Sequence, residues 1–339
     1  MSRRTLTLVA AALLAVLLGV LGVTLPVPLV ALGPGPTFNT LGAVDGTPVV
    51  AVDGRQVYPT TGQLNMTTVS VSDRLSAISA LGFWIAGDHS VVPRDSVFPP
   101  DKSDAQVQQE NTQQFTASEV NAEVAAMTLL NVPTRSVVSG IVPNTPAAGV
   151  LQPGDELVTV AGKAVDTPVS VSDALAATKP GQTVSITYRR GAEQRDAQVV
   201  LASSPDRPQG LLGVQPGVEP RQGDITIKLG DIGGPSAGLM FALAVVDKLT
   251  PDDLTGGRFV AGTGAITQQG GVQPIGGIQF KMRAARDAGA TVFLVPSDNC
   301  AEAVANAPSG LQLVRVADLK GAVSALDSLR AGRPAPACS

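Results

Sequence analysis

Two short segments hold the residue types that could do chemistry. Ser236 lies in Asp231-Ile-Gly-Gly-Pro-Ser236-Ala-Gly238, a glycine-proline turn that runs into an apolar stretch. Lys281 ends Gly276-Gly-Ile-Gln-Phe-Lys281, at the start of a second helical stretch behind a glycine bend. A serine hydroxyl is a weak nucleophile at neutral pH and needs a base beside it. Lysine can be that base only where burial keeps it uncharged. Gly234-Pro-Ser-Ala-Gly238 also fits the Gly-x-Ser-x-Gly nucleophile elbow, which requires an acid and then a histidine later in the chain. The single histidine, His89, precedes the serine in the polar stretch Gly87-Asp-His-Ser90 and reads as a surface residue. With histidine set aside, lysine is the remaining common base.

The elements around the pair must position it. Ala237 to Leu249 is almost wholly apolar and predicts a buried helix. The free N–H groups and dipole at its start can hold an oxyanion. Gly233, Gly234 and Gly238 allow close approach of a substrate carbonyl. Ile278, Met282 and Ala285 place an apolar face beside Lys281, the setting that lowers a lysine pKa. Taken singly, Ser236 reads as a helix N-cap and Lys281 as an ordinary exposed residue. Upstream, Gln63 to Val71 alternates as a strand. Asp73 to Ile85 predicts a helix capped by Ser72 or Asp73, with Leu75, Ile78 and Leu81 on one face and Trp84 packing or membrane-facing at its end. A polar helix is expected from Asp104, and a second helix from Ser118 to Leu130.

Composition narrows the classes. The 339 residues, 44% of them hydrophobic, have room for two or three domains with real cores. A net charge of -4 without a basic stripe argues against nucleic-acid binding. Cys300 and Cys338 lack metal-ligand spacing, so no metal or cofactor is expected. Outside the cell they could pair, and Cys338 reads equally as an exposed thiol. Arg3 and Arg4 precede an apolar run from Leu6 to Leu25, about the length that crosses a bilayer. A cleaved signal peptide is the alternative, but the run exceeds a usual signal core and no clear small-x-small site follows it. Gly33-Pro-Gly-Pro36 reads as a stiff, non-helical exit. The positive-inside rule places the N-terminus in the cytoplasm and the body outside, on a single-pass anchor.

Residues 134 to about 203 have their own grammar. A strand over Ser136–Val142 leads into Pro143-Asn-Thr-Pro-Ala-Ala-Gly149, then Gly154-Asp155 before a strand, then Ala161-Gly162-Lys163 in a tight turn. A helix over Ser170–Thr178 and a closing hairpin follow. This order resembles a PDZ domain, which implies capture of an extended peptide along an open sheet edge. Asn131 to Ser136 is the candidate loop for the peptide carboxylate.

A larger ordered set runs from about residue 208 to 330. Ile225-Thr-Ile-Lys-Leu229, Gly233-Gly-Pro-Ser-Ala-Gly238, Gly262-Thr-Gly-Ala-Ile-Thr267, Gln273-Pro-Ile-Gly-Gly277, Lys281 and Thr291-Val-Phe-Leu-Val-Pro296 together resemble the proteolytic domain of Lon-family peptidases. The resemblance implies Ser236 as nucleophile and Lys281 as general base, supported by Gly234, Ala237 and Thr263, the last matching a threonine that orients the lysine. Gly233 stands where many relatives carry an acid, and Asp231 is the nearest substitute. No Gly-x4-Gly-Lys-[Ser/Thr] phosphate loop is present, so no ATP is expected. Anchor, PDZ and Lon-type domain together resemble the bacterial membrane-anchored Lon-like proteases, as does Pro34-Gly-Pro-Thr37, Tyr58-Pro-Thr60 and Thr67-Thr-Val-Ser-Val71.

The implied fold class is α+β, a Lon-type domain of mixed sheets and helices with an inserted PDZ-like β-rich domain, preceded by one transmembrane helix. The expected division is an anchor over 1–33, a β/α segment over 34–131 partly belonging to the protease domain, a PDZ unit over 132–205, a catalytic domain over 206–330 and a tail over 331–339. The expected function is ATP-independent endopeptidase action on secreted or membrane-proximal polypeptides. The alternative is a non-catalytic membrane-anchored PDZ receptor. Ring-forming relatives leave a homo-oligomer open.

Overall fold

The computed structural model describes residues 3–230 and 233–338. Helix α1 (Arg3–Thr24) buries none of its 22 residues, and its length and hydropathy suffice to cross a membrane. The chain then enters a six-stranded sheet at Leu29–Asn39. Across that sheet the order is Gln312–Val316, Val292–Pro296, Phe259–Gly262, Gln63–Ser72, Leu29–Asn39 and Ser90–Pro93. The first four strands run parallel and the last two pairings are antiparallel.

Gly33-Pro-Gly-Pro36 is therefore part of a strand and not a free exit from α1. A register shift between Pro34 and Thr37 accommodates the prolines, which cannot donate to the ladder. Glycine at 35 is required by close approach, because a Cβ there would lie 2.4 Å from Thr68 Oγ1. His89 covers Gly33 in the same way and packs on Phe83 with ring centroids 4.4 Å apart. It is half-buried, where a surface residue was expected.

Helix α2 (Ala77–Ala86) begins later than the sequence pattern suggests, with Ser76 as its cap. Asp73 instead accepts two hydrogen bonds from the Arg94 guanidinium, at 3.0 and 3.1 Å. The expected common face also splits, since Leu75 is buried whereas Ile78 and Leu81 stand exposed. Helix α3 (Asp104–Leu129) is one helix of 26 residues, not two. No glycine or proline interrupts it, and a Ser103/Gln106 capping box starts it.

After α3 the chain builds a second sheet in the order Glu193–Val200, Thr183–Arg190, Glu156–Val160, Thr134–Ile141 and Val214–Pro220. Helix α4 (Pro168–Leu175) packs against this sheet. The unit has a separate core that includes Leu157, Ile186, Leu201 and Leu212. Its sheet continues past residue 205, because Val214–Pro220 returns to pair antiparallel with Thr134–Ile141. The chain then rejoins the first layer at Asp224–Ile227, which pairs with Val50–Asp53.

Helix α5 (Gly238–Leu249) lies against one face of the six-stranded sheet with Gly238 through Asp247 all buried. Its apolar circumference is explained by cover from α3 on another side, where Phe115 meets Phe241 edge-on at 5.7 Å. Helix α6 (Ile278–Asp287) covers the opposite face with Ile278, Met282 and Ala285 against Phe293 and Val295. Helices α7 (Cys300–Ala305) and α8 (Leu319–Arg330) complete the two outer layers. Cys300 and Cys338 form a disulfide, so Cys338 is not an exposed thiol. The tail also pairs with the sheet edge through Arg315 N–H to Pro336 O at 2.9 Å.

Candidate active site

Ser236 and Lys281 come together from opposite faces of the sheet. Ser236 closes the turn that precedes α5, with Ala237 as N-cap. Lys281 lies in the first turn of α6, which Gly277 starts with φ at 69°. The Nζ of Lys281 is 2.9 Å from Ser236 Oγ and 2.8 Å from the backbone oxygen of Thr67. Lys281 is 3% exposed, whereas Ser236 is half-buried at the edge of a cleft of about 620 Å³. Pro36, Phe38, Met66, Val69, Phe115 and Ile275 give that cleft apolar walls, and among the described residues no carboxylate lines it. Burial pulls the lysine pKa from its ordinary 10.5 down to about 7. A neutral Lys281 amine can accept the Ser236 Oγ proton, while one of its own N–H bonds is given to Thr67.

The turn that presents Ser236 is held by neighbours on both sides. Gly264 N–H and the Thr263 hydroxyl both donate to Ser236 O, at 2.9 and 3.0 Å. Thr263 thus braces the backbone of Ser236, where orientation of the lysine was expected. The lysine is oriented by Thr67 instead. On the α3 side, Ser118 Oγ donates to Pro235 O at 3.0 Å and Gly234 N–H donates to Asn111 O at 3.1 Å. Gly234 has φ at 89°, a conformation that a side chain would strain. A Cβ on Gly233 would already lie 3.0 Å from Asn111 Cβ, so α3 leaves little space for an acid there. Asp231 falls outside the described residues. His89 lines a different cleft, with Gln279 and Arg283.

Asn111 and Ser118 carry no motif, and Thr67, although it opens Thr67-Thr-Val-Ser-Val71, carries no signal for a place at the site. Thr67 reaches the site because Gln63–Ser72 pairs in parallel with Phe259–Gly262, a register that local pattern cannot reveal. For Ser118 the signal is a small polar residue between the apolar positions of α3.

A second cleft, about 710 Å³, opens where the PDZ-like unit meets α3. Pro168, Val169 and Ser172 of α4 and Gln215 and Pro216 of the edge strand face Thr112, Thr116 and Val120 of α3 across it. None of residues 131–136 lines this cleft. Helix α3 therefore forms a wall of both clefts, through Phe115 on one side and Thr116 on the other.

Fold and site together define an α+β domain with a buried lysine against a turn-borne serine, interrupted by a small β-rich unit. Residues 226–321 match the Lon protease (S16) C-terminal proteolytic domain, and residues 107–201 match the PDZ domain. The chain therefore carries both domains. Over 86 residues it is 42% identical to a Lon protease of Heliobacterium modesticaldum, covering 24% of this chain and 10% of that protein. Over 66 residues it is 46% identical to Lon protease 1 of Bacillus subtilis, covering 20% and 8%. The chain thus spans about a tenth or less of the length of these curated relatives. The solved PDZ domain of an SdrC-like protein from Listeria monocytogenes is 27% identical, covering 24% of this chain and 85% of that one at a TM-score of 0.22.

Proposed function

We propose that this chain is an ATP-independent serine endopeptidase that acts on polypeptides at a membrane surface. The observation that carries the reading is the 2.9 Å approach of buried Lys281 Nζ to Ser236 Oγ in an apolar cleft. Neutral Lys281 takes the hydroxyl proton as Oγ attacks the scissile carbonyl. The oxyanion is received by the backbone N–H at Ala237, aided by the α5 dipole, since the expected second donor, Gly234 N–H, is engaged by Asn111 O. The lysine then protonates the leaving amine, and a water that it deprotonates releases the acyl-enzyme. The PDZ domain engages the substrate chain, and the absence of a phosphate-loop motif in the sequence supports action without ATP.

Helix α1 is the anchor in this reading, with Arg3 and Arg4 on the cytoplasmic side and the body outside. Two observations support it. Only Leu25 to Pro28 separate α1 from a central strand that buries Val30 and Ala31, which leaves little extended chain for a signal peptidase. The Cys300–Cys338 disulfide suits an oxidising compartment. Functionally we divide the chain into an anchor over 3–24, a PDZ unit over 134–220 and a protease domain assembled from 29–129 and 224–330. The test is degradation of an unfolded polypeptide by the purified full chain without nucleotide. Loss of cleavage in both Ser236→Ala and Lys281→Met supports the reading, and cleavage at the original rate by either variant refutes it.

A further inference from the structure

Helix α2 carries no charged residue, and its sequence is Ala-Ile-Ser-Ala-Leu-Gly-Phe-Trp-Ile-Ala. It turns Ile78, Leu81, Trp84 and Ile85 outward, 49 to 71% exposed, along one stripe at helical spacing. Its opposite face contributes Ala80 and Phe83 to a small core with Ala31 and Leu75. A soluble surface does not gather four large apolar side chains on one short helix without a partner.

The stripe is continuous with α1. A Cβ on Gly22, in the last turn of α1, would lie 3.3 Å from Ile78. Pro26 bridges to Ser76, and Val27 N–H donates to Leu75 O at 2.8 Å. An apolar cleft lined by Val27, Leu29, Leu81, Trp84 and Val91 joins the two surfaces. We infer that α2 is an interfacial helix, lying in the outer leaflet of the bilayer that α1 crosses, with Trp84 at headgroup depth. This inference rests on the reading of α1 as a membrane span. The occupant is lipid because the patch begins at the outer end of that span, where tryptophan partitions to the interface. Charge contributes little, since Arg94 is engaged by Asp73 and Asp104. Arg74 adds an exposed cation next to the helix.

The consequence is a fixed working height. The strand that leaves this patch at Leu29 lines the catalytic cleft at Pro36 and Phe38. Seven residues of strand reach about 25 Å at most. The cleft therefore serves extended polypeptide segments within that distance of the membrane.

The chain contains one tryptophan, so Trp84 reports on α2 alone. The full chain is reconstituted into phosphatidylcholine vesicles with bromine near the headgroup end of the acyl chains, with flotation measured on the same sample. The inference predicts blue-shifted Trp84 emission, quenched by bromine and unchanged when anionic lipid is added. Ile85→Glu reduces the quenching while leaving flotation and cleavage of a soluble polypeptide intact. Flotation with unquenched, water-like emission overturns the inference but leaves α1 as the span. Blue-shifted emission that bromine does not quench assigns the patch to a second copy and also overturns it. A chain that does not float removes the reading of α1 and this inference with it.

Discussion

Lys281 Nζ is shared between Ser236 Oγ and the backbone oxygen of Thr67, at 2.9 and 2.8 Å. When the amine is neutral, the carbonyl takes one of its two N–H bonds, which leaves its single lone pair free to accept the serine proton. Arginine stays charged at any working pH and cannot take over this role. Lys281→Arg is therefore expected to lower kcat/KM by ~10²–10⁴-fold, the usual worth of a general base. Steady-state cleavage of an unfolded polypeptide measures it.

The same burial has a stability signature. The native lysine titrates near 7 and the unfolded one near 10.5, so the unfolded chain holds more protons between those values. The contribution of Lys281 to stability therefore rises with pH across that window and is lost as pH falls through about 7. Urea midpoints of wild type and Lys281→Met at pH 7 and pH 10 test this. Relative to the variant, wild type gains on going to the higher pH.

Through Ser118, helix α3 supports the turn that presents Ser236. Removing the buried Ser118 hydroxyl leaves Pro235 O without its 3.0 Å donor. Ser118→Ala is expected to cost about 1 kcal/mol of stability. If the same loss is felt at the transition state, kcat/KM falls about fivefold. A variant that loses stability but keeps full activity would show that the turn does not depend on α3.

The start of the folded body is sharply placed. Beginning the chain at Pro36 deletes Val30 and Ala31, both fully buried, and breaks pairing with Val69–Ser72 and Ser90–Pro93. Such a chain is expected to lose cooperative unfolding, whereas one beginning at Pro26 retains it. Thermal melts in mild detergent distinguish the two.

The tail disulfide closes a loop of 38 residues. On the chain-entropy relation its loss costs about 4 kcal/mol. Cys338→Ser and reduction of wild type should lower the unfolding midpoint by similar amounts, and reduction should leave the variant unaffected.

What the sequence made legible was whatever depends on local grammar. The segments of Ser236 and Lys281 stood out through glycine turns ahead of helices, and the structure brings the two side chains within 2.9 Å. The α5 run from Gly238 to Val246 is buried as its apolar composition requires. The turn residues of the β-rich unit were equally readable. Pairings between distant segments were not. Nothing local tells that Gln63–Ser72 lies beside Phe259–Gly262, so the role of Thr67 stayed hidden and Thr263 was given the lysine. Nor did periodicity reveal which face of α2 is covered, because an apolar stripe looks alike against protein and against lipid. Gly-Pro repeats suggested an exit loop at 33–36, yet a register shift lets that segment remain in the sheet.

The most direct test is the pH dependence of Ser236 acylation by a β-lactone in the full chain, followed by intact mass. The account predicts a labelling rate that rises with pH through about 7 and then levels, as Lys281 loses its proton. It also predicts no detectable labelling in Lys281→Met. A rate that is flat between pH 6 and 9, or equal labelling of Lys281→Met, would contradict the dyad.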